Sequence, residues 1–117
     1  GLLRLLRWVS DTYGPKSLYI TENGCAADDM LSSDGKRCHD HERIDYLSKH
    51  LSVIPRAVDE GIPINGYMLW SFIDNFEWAY GYSKRFGIVY CDYQDYRRIP
   101  KDSYFYYRDV IAGFEEF

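Results

Sequence analysis

Glu22 stands where a short apolar run stops. Leu18, Tyr19 and Ile20 have the β-rich, unbroken character of a strand buried on both faces, and Thr21, Glu22, Asn23 and Gly24 follow at its C-terminal end. A carboxylate in that position is held by a rigid strand while its oxygens reach out to where a substrate can meet them. Glu22 is therefore the best candidate for a reacting group. A second apolar run, Ile64 to Leu69, ends in Trp70. After it comes a dense string of aromatics and acids between Ser71 and Gly87, with Phe72, Asp74, Asn75, Phe76, Glu77, Trp78, Tyr80, Tyr82, Arg85 and Phe86. Glu77 is the second acid that invites a chemical role. Taken alone, a Glu at a strand end is more often a solvated surface acid, and Trp70 and Trp78 are equally readable as core aromatics.

These residues need a scaffold, and the periodicity of the chain supplies one. Leu2, Leu5, Leu6, Val9 and Tyr13 fall on one helical face, with Gly14 and Pro15 placed to end the helix. From Cys25 to His39 the composition turns polar, and Asp28, Asp29, Ser32, Ser33, Asp34 and Gly35 signal turns. Asp40 is placed to cap the next helix, whose apolar positions Ile44, Leu47, Leu51, Ile54 and Val58 step by three and four until Gly61. Pro55 lies inside that pattern, where its ring should clash with the Leu51 carbonyl, so a kink or break is expected. The second strand runs from about Ile64 to Trp70. Ile88 to Tyr93 and Arg97 to Ile99 are expected to form a short hairpin, and Asp102 to Ala112 a helix closed by Gly113. One β-α-β-α layout accounts for residues 1–117 as a single unit, with no internal repeat or linker.

Composition excludes several classes of function. The net charge is −4 over 117 residues and the charges are interspersed. No basic stripe is available to displace counterions from a nucleic acid. No apolar stretch approaches the roughly 20 residues of a membrane span. Aromatic residues make up 18% of the chain, led by twelve Tyr. Such side chains pack against sugar rings, but they serve as well as core or half-buried residues. Three Cys, at 25, 38 and 91, show no paired metal spacing and fit reduced thiols in a cytoplasmic protein, although Cys25 and Cys38 are near enough in sequence to pair across one loop.

The two motifs, in this order and with a helix-length spacer between them, resemble the C-terminal part of glycoside hydrolase family 1, the β-glucosidase family. The resemblance rests on Thr21-Glu22-Asn23-Gly24 and on Trp70-Ser71, Asp74-Asn75-Phe76-Glu77-Trp78, Gly81-Tyr82 and Arg85-Phe86-Gly87. It implies an α/β fold, the part of a (β/α)8 TIM barrel around strands seven and eight with their helices. A complete barrel needs roughly 250 residues, so the chain would be about its last quarter. The family's reaction, cleavage with retention, uses two carboxyl groups about 5 to 5.5 Å apart, one as nucleophile and one as acid then base. By resemblance Glu22 is the nucleophile, Glu77 accepts hydrogen bonds from the sugar's outer hydroxyls, Trp78 donates its indole N–H to the same sugar, Trp70 is the platform under the ring, and Phe86 walls the pocket. The implied substrate is a β-glucoside or oligosaccharide, with no metal and no organic cofactor.

The chain also departs from the whole-family pattern. The family's acid/base lies in an Asn-Glu-Pro motif, and no Pro of this chain follows a Glu. The chain alone is therefore expected to be inactive and to need the rest of the barrel. The alternative is a non-catalytic fragment or degenerate relative acting as a sugar-binding or interaction module, an alternative that the presence of both Glu22 and Glu77 disfavours. One family branch takes 6-phosphorylated sugars, replaces the Glu of the second motif and reads the phosphate through Ser-Lys-Tyr. Ser83 and Lys84 are present here, but Glu77 is retained and Phe86 stands where a Tyr is expected, which favours an unphosphorylated sugar. His39, His41 and His50 are not expected to form a metal set, since nine residues along a helix turn His41 and His50 about 180° apart. Asp74 and Asn75 are expected to brace their loop, and Arg43 and Arg85 to form ion pairs.

Overall fold

The computed structural model describes residues 1–113. Its elements follow the expected order: α1 Leu2–Tyr13, β1 Leu18–Asn23, α2 His41–Leu51, α3 Val53–Asp59, β2 Ile64–Leu69, the hairpin strands β3 Val89–Cys91 and β4 Arg98–Pro100, and α4 Asp102–Ala112. β1 and β2 pair in parallel, and β3 and β4 pair antiparallel in a separate two-stranded sheet. The first helix stops where Gly14 enters the left-handed region at φ 52° and donates its N–H to Ser10. Pro55 has the predicted effect: the helical ladder breaks at Ser52, next to the Leu51 carbonyl that Pro55 cannot serve, and α3 starts a new helix. Among the described residues no helix is long and apolar enough to cross a membrane.

The core forms on one side of the β1–β2 pair only. Leu6, Ala57 and Ile62 are buried at its centre, with Leu2, Leu3, Val53, Leu18, Ile20 and Ile64 packed around them. In this chain β1 is covered on one face only, although a strand buried on both faces is expected. Tyr19 is 56% exposed, and Met68 on β2 is 46% exposed. Leu5 and Tyr13, assigned to the apolar face of α1, also stand exposed. The periodicity is sound in each case, but it describes more apolar surface than this chain can cover. A Cα radius of gyration of 16.0 Å and extents of 49 × 35 × 19 Å describe an open slab; a globular domain of this length would have a radius of about 13 Å.

A buried charge cluster joins the other half of the molecule. Asp40 opens α2 at the expected place, but its carboxylate does not cap that helix. It accepts hydrogen bonds from Arg43 and from the Ser103 N–H (2.9 Å) and hydroxyl (2.5 Å) on α4. Arg43 grips Asp29 of the long loop with both terminal nitrogens (3.1 and 2.7 Å) and donates to the Arg85 carbonyl. Lys101 donates to Asp29 (2.5 Å) and Asp74 (2.8 Å), and Asp74 takes a further bond from Arg85 at 2.6 Å. Burial alone would lower the Arg43 pKa, but the hydrogen bond and charge of Asp29, with Asp40 behind them, raise it. Three carboxylates thus balance three cations.

Two consequences can be measured. Lys101→Met leaves Asp29 and Asp74 facing each other without their shared cation, and is expected to cost about 3–5 kcal/mol in chemical denaturation. Glu60 is different, because it is a surface group that ties α3 to α1. Its hydrogen bonds to Arg7, at 2.6 and 2.5 Å, hold its carboxyl down at about 2, below the ordinary 4.5. A depressed carboxyl stabilises the fold above 4.5 and loses that contribution as pH falls toward about 2. Thermal melts of Glu60→Gln are expected to lack this small acid-dependent loss, which the wild type shows.

Candidate active site

β1 delivers Glu22 through a break in its own alternation. Leu18 and Ile20 face the helices and Tyr19 faces away. A further regular step of two would return residue 22 to the helix side. Between Ile20 and Asn23, however, the pairing with β2 is irregular: Ile20 lies opposite Tyr67 and Asn23 opposite Leu69. The extra residue turns Asn23, instead of Glu22, toward the helices and leaves Glu22 exposed on the open side. Asn23 is then locked. The Tyr67 hydroxyl donates to its side-chain Oδ1 at 2.7 Å, and its side-chain Nδ2 donates to the Tyr46 hydroxyl at 3.3 Å. Burial raises the Tyr67 pKa, which keeps that hydroxyl a donor.

Gly24 sets the distance between the two strand ends. A Cβ at this position would lie 1.7 Å from the Trp70 carbonyl oxygen, so any other residue would force the loop away from β2. The Trp70 N–H donates to the Asn23 carbonyl at 2.9 Å, which places Trp70 beside Glu22 at the rim; the Trp70–Ser71 peptide is cis. Phe86 is tied to the same rim, its carbonyl accepting the Ser71 N–H at 3.1 Å, and its ring is half-buried. Residues 71–74 and 86–89 zip together through Ile88 N–H to Ser71, Val89 N–H to Phe72 and Asp74 N–H to Val89, which closes the base of the intervening loop. Gly87 permits this approach, since a Cβ there would fall 2.2 Å from the Asp74 nitrogen. Asp74 and Asn75 brace the loop as expected: Asp74 accepts from the Gly87 N–H at 3.0 Å, and the Asn75 amide donates to Ser71 Oγ and the Ile73 carbonyl.

Glu77 and Trp78 occupy the tip of that loop. Glu77 begins a tight turn, its N–H bonded to Gly81 and its carbonyl to Tyr80, and its side chain is half-buried. Among the described residues neither the Glu22 nor the Glu77 carboxylate accepts a hydrogen bond from the protein, so both are free to accept from a ligand. Trp78 adopts φ 42° and is 83% exposed, and Trp70 is 37% exposed. In this chain neither tryptophan is buried. Behind the loop, Phe76, Tyr82 and Tyr93 pack in contact, and the Arg85 guanidinium lies 3.9 Å over Tyr90 and 4.6 Å over Tyr93.

Other candidates have structural roles. Cys25, Cys38 and Cys91 are free, so Cys25 and Cys38 do not pair. Burial pushes the Cys38 thiol up to about 11 and raises Cys25 too, which keeps both protonated at neutral pH. His50 stacks on Tyr46 and donates from Nδ1 to the Tyr46 carbonyl, well apart in role from the other two. The three histidines do not form one set, but His39, just before the helix, and His41 stack on each other. Asp102, brought in from 63 residues away, joins them. Asp29, Asp40 and Lys101 were not singled out by the sequence as a set, since nothing local distinguishes them from surface charges.

The sequence profile of glycosyl hydrolase family 1 matches residues 1–115. Beta-glucosidase A of Thermotoga maritima is 53% identical over 113 residues, which are 97% of this chain and 25% of that protein. The bifunctional beta-D-glucosidase/beta-D-fucosidase of Bifidobacterium breve is 50% identical over 115 residues, 96% of this chain and 25% of its own length. The structure of the Thermotoga maritima beta-glucosidase in complex with castanospermine superposes with a TM-score of 0.94 at 50% identity, covering 99% of this chain and 26% of that one. The chain thus spans about a quarter of the length of the relatives it matches. With its parallel strand pair, the break in β1 that frees Glu22 and the aromatic loop after β2, the chain belongs to glycosyl hydrolase family 1 and forms part of a (β/α)8 barrel.

Proposed function

We propose that residues 1–117 are the C-terminal quarter of a retaining β-glucosidase acting on terminal, non-reducing β-D-glucosyl residues, with Glu22 as its nucleophile. The observation that carries this reading is the placement of Glu22: exposed, without a protein partner among the described residues, beside Trp70, with Asn23 and Gly24 fixing the backbone on its far side. A Glu22 oxygen attacks the anomeric carbon as the glycosidic C–O bond breaks, and the departing oxygen takes a proton from an acid that the rest of the barrel supplies. Water then attacks the glycosyl ester, gives its proton to that same group, and releases Glu22 as a carboxylate.

The sugar contacts follow from the same rim. Trp70 offers an exposed face for the ring, Trp78 an indole N–H, Glu77 a carboxylate able to bridge two hydroxyls through charge-assisted bonds, and Phe86 a half-buried apolar wall. An unphosphorylated sugar fits best. The Ser83 hydroxyl already donates to the Tyr80 carbonyl at 2.6 Å and Lys84 reaches Asp28 at 3.3 Å, so neither waits for a phosphate. The partner this reading requires is the remainder of the barrel.

In the assembled barrel, a slow-turnover 2-fluoroglucoside is expected to leave a covalent adduct on Glu22, identified by peptide mass spectrometry. Glu22→Gln should lower kcat by roughly 10⁴-fold or more. An adduct on another residue, or an undiminished rate, overturns the assignment. Glu77→Gln is expected to lower kcat/KM by roughly 10- to 100-fold, the loss of a charge-assisted hydrogen bond, while the fluoroglucoside adduct still forms at Glu22. The 117-residue chain by itself is expected to hydrolyse no β-glucoside.

A further inference from the structure

The starts of α2 and α4 meet in a cluster that glycoside cleavage does not use. His39 immediately precedes Asp40, His41 is the first residue of α2, and Asp102 is the first residue of α4. Each places one ligand-type atom, an imidazole nitrogen or a carboxylate oxygen, within 4.8 Å of the other two. Nδ1 of His39 donates to Asp102 at 2.6 Å, and the two imidazoles lie nearly parallel with centroids 6.1 Å apart. Both rings are exposed, and they border an open hollow of about 620 Å³ whose wall also carries Asp28 and Glu42. The base of the cluster is rigid, because Asp40 between the histidines is buried and bonded to Arg43 and Ser103.

We propose that His39, His41 and Asp102 form a binding site for a divalent first-row transition cation of the zinc type, with solvent completing its coordination. The donor set selects this class. Two imidazoles and one carboxylate suit borderline cations, whereas calcium and magnesium require several oxygen ligands. Two helix N-termini point their partial positive charge at the cluster and oppose any cation, so binding rests on coordination by the two imidazoles and the carboxylate. Nδ1 of His39 and the Asp102 oxygen that faces it at 2.6 Å both turn to the ion, whose binding releases the proton between them. Zinc ligands at 2.0–2.2 Å in a tetrahedron are roughly 3.3–3.5 Å apart. Exposed side chains close the remaining gap of about an ångström by rotation about their side-chain bonds. An ion here clamps the long loop and α2 to α4, far in sequence from either motif of the sugar site.

The test is titration of the tag-free chain with Zn²⁺ and Co²⁺ in chelator-treated buffer at pH 7.5. The chain is used in whichever form circular dichroism shows to be folded, alone or reconstituted with the remainder of the barrel. The expected result is one saturable equivalent, a rise in Tm, and a Co²⁺ spectrum without a thiolate charge-transfer band, which separates this site from the cysteines. His41→Gln is expected to weaken binding by roughly tenfold or more and to abolish the rise in Tm, and His50→Gln to change neither. Asp102→Asn, a second variant, should weaken binding as well. No saturable uptake, a thiolate band, or equal binding by His41→Gln overturns the proposal.

Discussion

Everything beyond the strand pair depends on six charges held out of water. Asp29 comes from the long loop, Asp40 and Arg43 from the start of α2, Asp74 and Arg85 from the two ends of the aromatic loop, and Lys101 from the residue before α4. An apolar core of the same size would tolerate sliding, since hydrophobic contact has no direction. A cluster of carboxylates and cations tolerates little. Each group must meet its partner within hydrogen-bond distance or bear the cost of a buried, unpaired charge. Four segments that share no helix or strand are thereby held in one arrangement. The stability that the cluster contributes is small compared with the cost of breaking it, so its effect is to specify position.

That positioning reaches the rim through backbone contacts. Arg43 and the Ala27 N–H both bond to the Arg85 carbonyl, and Asp74 bonds to the Gly87 N–H, so the cluster holds both ends of the loop that carries Glu77 and Trp78. At the other motif two small devices replace charge. The irregular register in β1 decides which side Glu22 takes, and the absence of a side chain at Gly24 lets the β1 end lie against Trp70. On the reading proposed for Glu22, its carboxylate has to be accessible and yet fixed. Here the fixing is done by its neighbours, Asn23 above all, and the carboxylate itself remains unbonded.

Much of this was legible in the sequence, and the limits have physical causes. Helix and strand periodicity, the glycine stops and the Pro55 break are local properties, and they place the α-helices and strands of the described residues, though not the short 3-10 turn at Trp78–Tyr80. The two motifs likewise located Glu22, Trp70 and Phe86, which the backbone does bring to one rim. What local pattern does not encode is pairing across distance. Lys101 reads as a surface lysine in a turn, and only its meeting with Asp29 and Asp74, 72 and 27 residues away, shows it to be interior. Asp40 was read as a helix cap because its position is that of a cap, while α4 claims its oxygens. The meeting of His39 and His41 with Asp102 was not legible for the same reason, since the acid that joins them lies on another helix.

The exposed aromatics express the remaining constraint. A barrel strand must be apolar on the side facing the helices and also on the side facing the barrel axis, and this chain carries helices for only the first. Tyr19 and Met68 are consequently bare on the face where six further strands belong, and their type is explained by neighbours outside the chain. Trp70 and Trp78 need a different explanation, because they sit at the C-terminal rim, where a barrel leaves surface open for a ligand in its complete form. The same distinction applies to the two acids. Asp74 and Asp40 are buried, and every oxygen they carry is engaged. Glu22 and Glu77 have no protein donor among the described residues, and their carboxylates stay open at the rim.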